Sequence, residues 1–228
     1  MAGRIAQLLS IALVAAATAG CSASAPARFY TLDSTATADG VPAARYAVVV
    51  GPVSVPAAVD RPQFVVQVAP NRVDIDEFNR WAAPLNDSIA RAVAGDLAVL
   101  LGTSDVAVAP LANFNPAYRV TIDVQRFESV QGESVVVEAV WAVRKTDGDA
   151  RSGRTVAREA VQGKGFDALA AAHSRALAHV SADIAGAIRA AAAADATSPQ
   201  PRQSKSETRN KAGATTRHPQ PETPSKPE

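Results

Sequence analysis

Cys21 carries the most specific chemistry that the sequence offers, because it is the only cysteine among 228 residues. A single thiol has no disulfide partner within its own chain, so it is available for modification. It follows the small residues Thr18–Gly20, which end an apolar run that begins at Ile5 behind Arg4. That run is shorter than the roughly 20 residues a membrane-spanning helix needs, and it has the proportions of a secretory signal.

The residues around Cys21 resemble the bacterial lipobox, in which the thiol receives a diacylglyceryl group and the preceding segment is removed. Thr18 departs from that motif, which usually carries leucine there, and an ordinary signal peptide ending near a free thiol is the alternative. Ser22 follows the cysteine, and in the lipoprotein pattern a serine there implies export to the outer membrane. We therefore expect a signal peptide over residues 1–20, a covalent lipid on Cys21 as the only attached group, and a location on the periplasmic face of the outer membrane. Two or more acyl chains anchor a protein stably.

The rest of the chain offers no catalytic motif. It contains no serine-centred elbow, phosphate-binding glycine loop, HExxH sequence or acidic metal cluster. Asp74 and Asp76 alternate with apolar residues and indicate the solvated face of a strand, and His173 falls on an apolar helical stripe, which is typical of a packed histidine. The charges, 23 basic against 22 acidic, alternate in sign along the chain and give no basic patch for a nucleic acid. We expect no enzyme activity, catalytic residue, metal or nucleic-acid partner.

A helix after Pro84 organises the domain. Apolar residues recur at steps of three and four and predict one apolar face: Leu85, Ile89, Val93, Leu97, Leu100 and Leu101. Pro84 suits the first helical turn and Gly102 suits a left-handed C-cap. The opposite face, expected to meet water, carries Asn86, Asp87, Arg91 and Asp96. The aromatic pair before the helix, Phe78 and Trp81, is expected to pack.

Strand patterns surround this helix. A hairpin is predicted over residues 64–76, and three strands joined by tight turns are predicted between Tyr118 and Val161. Gly51-Pro52 is a turn signal. A second amphipathic helix is predicted from Phe166 to Ile188. Together these patterns predict an α+β fold: a mainly antiparallel sheet with two long amphipathic helices packed on one face.

The domain boundaries follow from composition. Residues 21–44 form a lipidated tether with a short first strand, and residues 45–192 form the α+β domain. Residues 195–228 contain six prolines and no Val, Ile, Leu or aromatic residue. Such a segment cannot bury enough apolar surface to offset its conformational entropy. We therefore expect a disordered, proline-rich tail over residues 193–228.

The connection between Val55 and Phe64 is a candidate partner-binding loop. Prolines stiffen it, which lowers the entropy lost on binding, and an arginine beside an aromatic is a composition that interfaces favour. The candidate residues are Pro56, Asp60, Arg61, Pro62 and Phe64. The alternative is that Pro62 only starts the next strand while Arg61 pairs with Asp60. The binding interpretation predicts self-assembly or docking through this loop.

Several stretches together resemble one family. The lipobox is followed by Arg28–Leu32, Val50–Val53, Asp60–Gln63 and Glu77–Leu85, in this order. This arrangement is similar to the ABC-type transport auxiliary lipoproteins, whose best-known branch is the paraquat-inducible protein C, or membrane-integrity, group. The match runs from about residue 21 to residue 190 and leaves the tail outside.

The resemblance implies a non-enzymatic outer-membrane lipoprotein. Its expected partner is a periplasm-spanning protein with MCE (mammalian cell entry) domains, and the pair would move lipids between the two membranes and support membrane integrity. A homo-oligomer is also an open expectation. The alternative from another functional class is a structural lipoprotein that scaffolds a different envelope assembly without any role in transport.

Overall fold

A curled mixed sheet of eight strands and two helices form the fold, so the α+β prediction is confirmed. The computed structural model describes Gly3 and residues 25–110, 112–146 and 148–197. The strands are β1 (Arg28–Tyr30), β2 (Val48–Ser54), β3 (Gln63–Ala69), β4 (Arg72–Trp81), β5 (Val106–Val108), β6 (Tyr118–Val130), β7 (Ser134–Lys145) and β8 (Ala150–Ala160). The helices are α1 (Leu85–Leu101) and α2 (Gly165–Thr197).

The sheet forks at β6. One edge of this long strand pairs with β7, and β7 pairs with β8, which gives the predicted antiparallel meander. β6 also pairs with β2 along its first half and with β3 at Val130. β2 continues to β5, while β3 continues to β4 and β1. Two branches therefore leave the same strand.

The prediction of a mainly antiparallel sheet is wrong. Four strand pairs are parallel, β1 with β4, β2 with β5, β2 with β6 and β3 with β6, and only three are antiparallel. Turn signals indicate antiparallel pairs between strands that follow each other directly. A parallel pair needs a long connection between its two strands, so no local pattern predicts it.

Gly51 and Pro52 do not form the predicted turn. They lie inside β2, where the pairing with β6 shifts register between Val50 and Val53. Gly51 has a φ of 121°, a conformation that residues with a side chain rarely adopt. The pair therefore makes a bulge that lets one strand continue past it.

Helix α1 has the predicted apolar face. Every residue of the predicted stripe is buried, and the helix packs on β2 and β5. Gly102 caps the helix with a φ of 63°, and its amide donates to the carbonyl of Val99. Pro84 lies just before the first helical residue, so the chain enters the helix one position later than predicted.

Helix α2 packs on the sheet through Phe127, which stacks on His173, and through Thr155, which donates to Asp183 at 2.6 Å. It ends at Thr197, beyond the predicted domain boundary at residue 192. Asp195 explains the extension, because it accepts a hydrogen bond from the Tyr118 hydroxyl at 3.2 Å and pairs with Lys145 at 2.8 Å. Burial and the Asp195 carboxylate raise the pKa of Tyr118 to about 12. Residues 198–228, the rest of the predicted tail, lie outside the described residues. Among the residues that the structure describes, neither helix is long and apolar enough to cross a bilayer.

Residues 31–44, here called the strap, run across the two helices between β1 and β2. The amides of Thr35 and Ala36 donate to one oxygen of Asp96, at 2.8 and 2.9 Å, and the Ser34 hydroxyl donates to the same oxygen at 2.8 Å. The second Asp96 oxygen accepts a hydrogen bond from Ser181 of α2 at 3.0 Å. One carboxylate therefore joins α1, α2 and the strap.

The prediction that Asp96 meets water is wrong, because its side chain is fully buried. The helical pattern places it away from the sheet, but the strap covers that face. Gly95 permits the close approach: a Cβ at this position would lie 2.8 Å from the Cβ of Ser34. A buried carboxylate is tolerated where hydrogen bonds satisfy it, and four donors do so here.

Candidate partner-binding surface

Cys21, the predicted lipidation site, lies outside the described residues. The described chain resumes at Ala25 and enters β1 at Arg28. The lipid on Cys21 therefore stays a prediction from the sequence.

The predicted partner loop is a compact turn at the fork of the sheet. The carbonyl of Pro56 accepts hydrogen bonds from the amides of Val59 and Asp60, at 3.0 and 3.1 Å. The amide of Trp81 donates to the carbonyl of Pro62 at 2.7 Å and ties the end of the loop to β4. The loop backbone is thus fixed by its own hydrogen bonds, which lowers the entropy that a partner would have to remove.

Two charged side chains of this loop point away from the domain. Asp60 and Arg61 are exposed, as is Pro62, whereas Pro56 is half-buried. The Arg61 amide donates to the Val59 carbonyl at 2.8 Å, but its guanidinium makes no hydrogen bond or ion pair with any residue that the structure describes, and neither does the Asp60 carboxylate. The alternative in which Arg61 pairs with Asp60 is therefore not the arrangement found, and the guanidinium is free to bind a partner group.

Phe64 has a different role from its neighbours. It is buried, stacked on Trp81 with ring centroids 4.1 Å apart and packed edge-on against Tyr30 at 5.5 Å and Phe166 at 5.2 Å. The premise of an exposed aromatic beside Arg61 is wrong at this position. Phe64 supports the loop from beneath and does not present a surface to a partner.

The aromatic pair before α1 also divides. Trp81 is buried in the cluster with Phe64, as predicted, but Phe78 is exposed. The cause is a register shift in β4, where the Asp76 carboxylate accepts the amides of Phe78 and Asn79 at 2.9 and 2.8 Å. Burial opposes the charged form of Asp76, but hydrogen bonds from the Asn79 side chain and from these two amides hold the pKa of its carboxyl below its usual value. The shift turns Phe78 outward.

Two further apolar residues of β4 are exposed against expectation. Val73 and Ile75 alternate with acidic residues, a pattern that implies a dry face, yet they lie on the face of the hairpin away from the core. Ile75 pairs with Val65 and Val73 pairs with Gln67, while the intervening β3 residue, Val66, points into the core. The alternating pattern correctly predicts two faces for this strand, but the face that carries Val73 and Ile75 points away from the core and not into it.

We call Phe29, Val73, Ile75 and Phe78 the outer apolar patch. Their exposed fractions are 65%, 54%, 43% and 45%. Phe29 pairs with Arg80 in the register of β1 and β4, and the other three residues lie on β4 itself. No sequence signal separates these residues from core residues, because the covering elements are distant in the chain.

His173 is packed, as its position in the stripe predicts. Its ring stacks on Phe127 with centroids 3.9 Å apart, and Nε2 shares a hydrogen bond of 2.8 Å with the Ser129 hydroxyl. Complete burial lowers the pKa of His173 to about 3, so the imidazole is neutral at physiological pH. The ring lies inside the core and faces no described cleft.

Two clefts of the described surface contain acidic side chains that already accept hydrogen bonds. One of about 290 Å³ lies across β2, β6 and β7, where Asp123 accepts the Ser54 hydroxyl and the Gln125 amide, both at 2.6 Å. Another of about 290 Å³ contains Glu159, which accepts one hydrogen bond from Arg175 at 3.0 Å and contacts Nε2 of His179 at 2.9 Å. Within the part of the chain that the structure describes, no group of His, Cys, Asp and Glu side chains could hold a metal ion.

The family model of the ABC-type transport auxiliary lipoprotein component matches residues 30–185. This match covers the strap, the partner loop, strands β2 to β8, all of α1 and most of α2. The chain belongs to the ABC-type transport auxiliary lipoprotein family. Two of the stretches that carried the resemblance, Asp60–Gln63 and Glu77–Leu85, meet in the structure at the hydrogen bond from the Trp81 amide to the Pro62 carbonyl.

Solved structures show the same fold. Protein XCC0632 of Xanthomonas campestris is 21% identical over 75% of this chain and 100% of its own, with a TM-score of 0.61. A second crystal structure, of an uncharacterised protein, is 21% identical over 72% of this chain and 99% of its own, with a TM-score of 0.60. No curated protein matches the sequence. At these identities the likeness to the two solved structures shows the fold alone.

Proposed function

We propose that this auxiliary lipoprotein is anchored by a lipid on Cys21 to the periplasmic face of the outer membrane. There it serves as the non-enzymatic accessory subunit of an ABC lipid-transport system whose periplasm-spanning partner carries MCE domains. Its contribution is to dock that partner at the outer membrane, and so to support membrane integrity. The observation that carries the proposal is the family match over residues 30–185 behind a lipobox-like sequence.

The partner loop supports the docking role. Its turn is fixed by backbone hydrogen bonds, its charged residues are exposed, and Arg61 has no competing partner among the described residues. Arginine is enriched where interfaces concentrate their binding energy. The proposed contacts are made by Asp60, Arg61 and Pro62, with Pro56 and the buried Phe64 fixing the shape of the loop.

The anchor is tested by replacing Cys21 with serine. Because only this residue can accept the lipid, Cys21→Ser leaves an uncleaved precursor or a soluble periplasmic form. Membranes are separated by density after a salt wash, and the protein is detected in each fraction. Substituted protein that still fractionates with the outer membrane contradicts the anchor.

The partner surface is tested by Arg61→Glu. We expect an unchanged fold by circular dichroism and a free energy of unfolding within about 0.5 kcal/mol of wild type, because the side chain is exposed. Recovery of the MCE-domain protein in a pull-down from detergent extracts is expected to fall. Arg144→Glu, an exposed arginine at the end of β7, is the matched control. Equal recovery with both variants excludes the loop.

The transport role is separated from a scaffolding role by the phenotype of a deletion strain. Loss of lipid asymmetry in the outer membrane, restored by the wild-type gene and not by the Arg61→Glu gene, is the outcome expected for a transport subunit. Intact asymmetry combined with loss of another envelope assembly favours the scaffold.

A further inference from the structure

The outer apolar patch is the least covered apolar surface of the described domain. Three of its residues follow one another along β4, and Phe29 pairs beside them from β1. Single exposed apolar residues are common on soluble proteins, whereas a continuous row on one sheet face marks an interaction surface.

The edge of β4 is uncovered as well. In the described part of the chain, β1 pairs only with Asn79–Trp81, so residues 72–78 of β4 pair with β3 alone. Edge strands of this kind are normally shielded by charge, by proline or by another segment. This edge carries Arg72, Asp74 and Glu77, whose charges shield it, whereas the apolar patch has no cover in the described chain, which indicates that something outside the domain meets the patch.

The position of Cys21 indicates that the bilayer meets the patch. Phe29 follows Cys21 by eight residues, and eight residues span at most about 29 Å when fully extended. Among the exposed large apolar residues of the described chain, Phe29 is the nearest in sequence to Cys21. The patch therefore cannot lie far from the bilayer that holds the lipid.

Tethering makes even a weak contact with the bilayer effective. A short flexible linker holds a second binding element at an effective concentration in the millimolar range, so a patch too weak to bind by itself is occupied once the anchor is in place. Phenylalanine side chains on such a surface bury their apolar area in the headgroup boundary.

We propose that the outer apolar patch rests on the bilayer beside the lipid anchor, with Phe29 and Phe78 inserted at the headgroup boundary. This fixes the orientation of the domain, so the sheet branch of β1, β3 and β4 faces the membrane. The inference rests on the proposed lipidation of Cys21. A second copy of the chain is the competing occupant, and the experiment distinguishes the two.

The experiment uses the lipidated mature protein in vesicles of phosphatidylethanolamine and phosphatidylglycerol with brominated acyl chains. Phe78→Trp places a reporter in the patch, and Val156→Trp places one on β8, where the side chain is 60% exposed. The natural residues Trp81 and Trp141 are buried, and the wild-type signal is subtracted. We expect the added tryptophan at position 78 to be quenched several-fold more strongly than that at position 156, with emission shifted to shorter wavelength.

Equal quenching of the two reporters overturns the proposal. A second outcome also overturns it. If light scattering in detergent shows a wild-type oligomer that Phe78→Glu dissociates, and the tryptophan at position 78 stays unquenched in vesicles, then a second copy of the chain occupies the patch. Mass spectrometry of the peptide containing Cys21 shows whether the lipid is present. A missing lipid overturns the anchor and the inference with it, whereas a present lipid with no quenching overturns the inference alone.

Discussion

The strapped helix pair and the β3–β4 hairpin invert the usual distribution of polarity. Under the strap, the carboxylate of Asp96 is fully buried and satisfied by four donors. On the hairpin, Val73 and Ile75 face outward. Local patterns predict the reverse in both places. Burial is decided by what crosses a face, and the strap covers one face while nothing in the described chain covers the other.

This difference also separates stability from recognition. The helix pair, the strap and the aromatic cluster hold the domain together through buried contacts between residues far apart in the chain. The hairpin face and the partner loop contribute few such contacts, so they are available to a membrane or a protein. Substitutions should therefore divide into two groups, those that unfold the domain and those that change only its partners.

The largest effect is expected from Asp96→Ala. The substitution removes the acceptor of the Ser34 hydroxyl and of the amides of Thr35 and Ala36, whereas Ser181 keeps its hydrogen bond to the Leu177 carbonyl, and each buried donor left unsatisfied costs about 1–3 kcal/mol. The free energy of unfolding is measured by urea denaturation. Asp87→Ala, an exposed acidic residue in the first turn of the same helix, should cost no more than about 1 kcal/mol. Similar losses for the two variants would show that the strap adds nothing to stability.

A medium effect is expected from acidification through His173. Its folded pKa of about 3 lies below the usual value of about 6.5 in an unfolded chain, so between these values the unfolded state binds the extra proton. This contribution is fully present above pH 6.5 and is lost as the pH falls, by about 2–3 kcal/mol at pH 4.5.

The variant for this measurement is His173→Leu, and the readout is the slope of unfolding free energy against pH. The slope should decrease between pH 6.5 and 4.5 relative to wild type, whatever the change in baseline stability. His179→Gln, an exposed histidine on the same helix, is the control and should leave most of the slope unchanged. An unaltered slope in His173→Leu would mean that this ring titrates normally.

The smallest effect is expected from Gly95→Ala. Alanine favours helix by about 0.5–1 kcal/mol over glycine, but the added methyl would meet the Cβ of Ser34 at 2.8 Å. Displacing the strap costs about 1–3 kcal/mol, so a net loss is expected. Gly186→Ala in α2, where nothing lies within 4 Å of an added Cβ, should instead gain the helical contribution. If both variants gain stability, the strap does not hold its position over α1.

Local sequence features were enough for the elements themselves. The apolar stripe of α1, the glycine at position 102 and the turns of the meander are short-range signals that act over a few residues. The resemblance carried by Asp60–Gln63 and Glu77–Leu85 identified the family. For the candidate surface, the sequence located the loop and its exposed charges. It misplaced Phe64, which is buried, and Phe78, which a register shift in β4 turns outward.

The sequence by itself determined the family, the class of fold and the faces of the two helices that meet the sheet, since periodicity and capping act within one element. The tertiary structure alone decided the parallel pairings, the burial of Asp96 and the exposure of the outer apolar patch. The parallel pairings and the burial of Asp96 depend on segments that meet across 50 or more residues, as Tyr30 meets Trp81 and Thr35 meets Asp96, whereas the exposure of Phe78 depends on a register shift between β3 and β4. A hydrogen bond or a covering segment at that separation leaves no periodic signal in the chain, so only the folded arrangement reveals it.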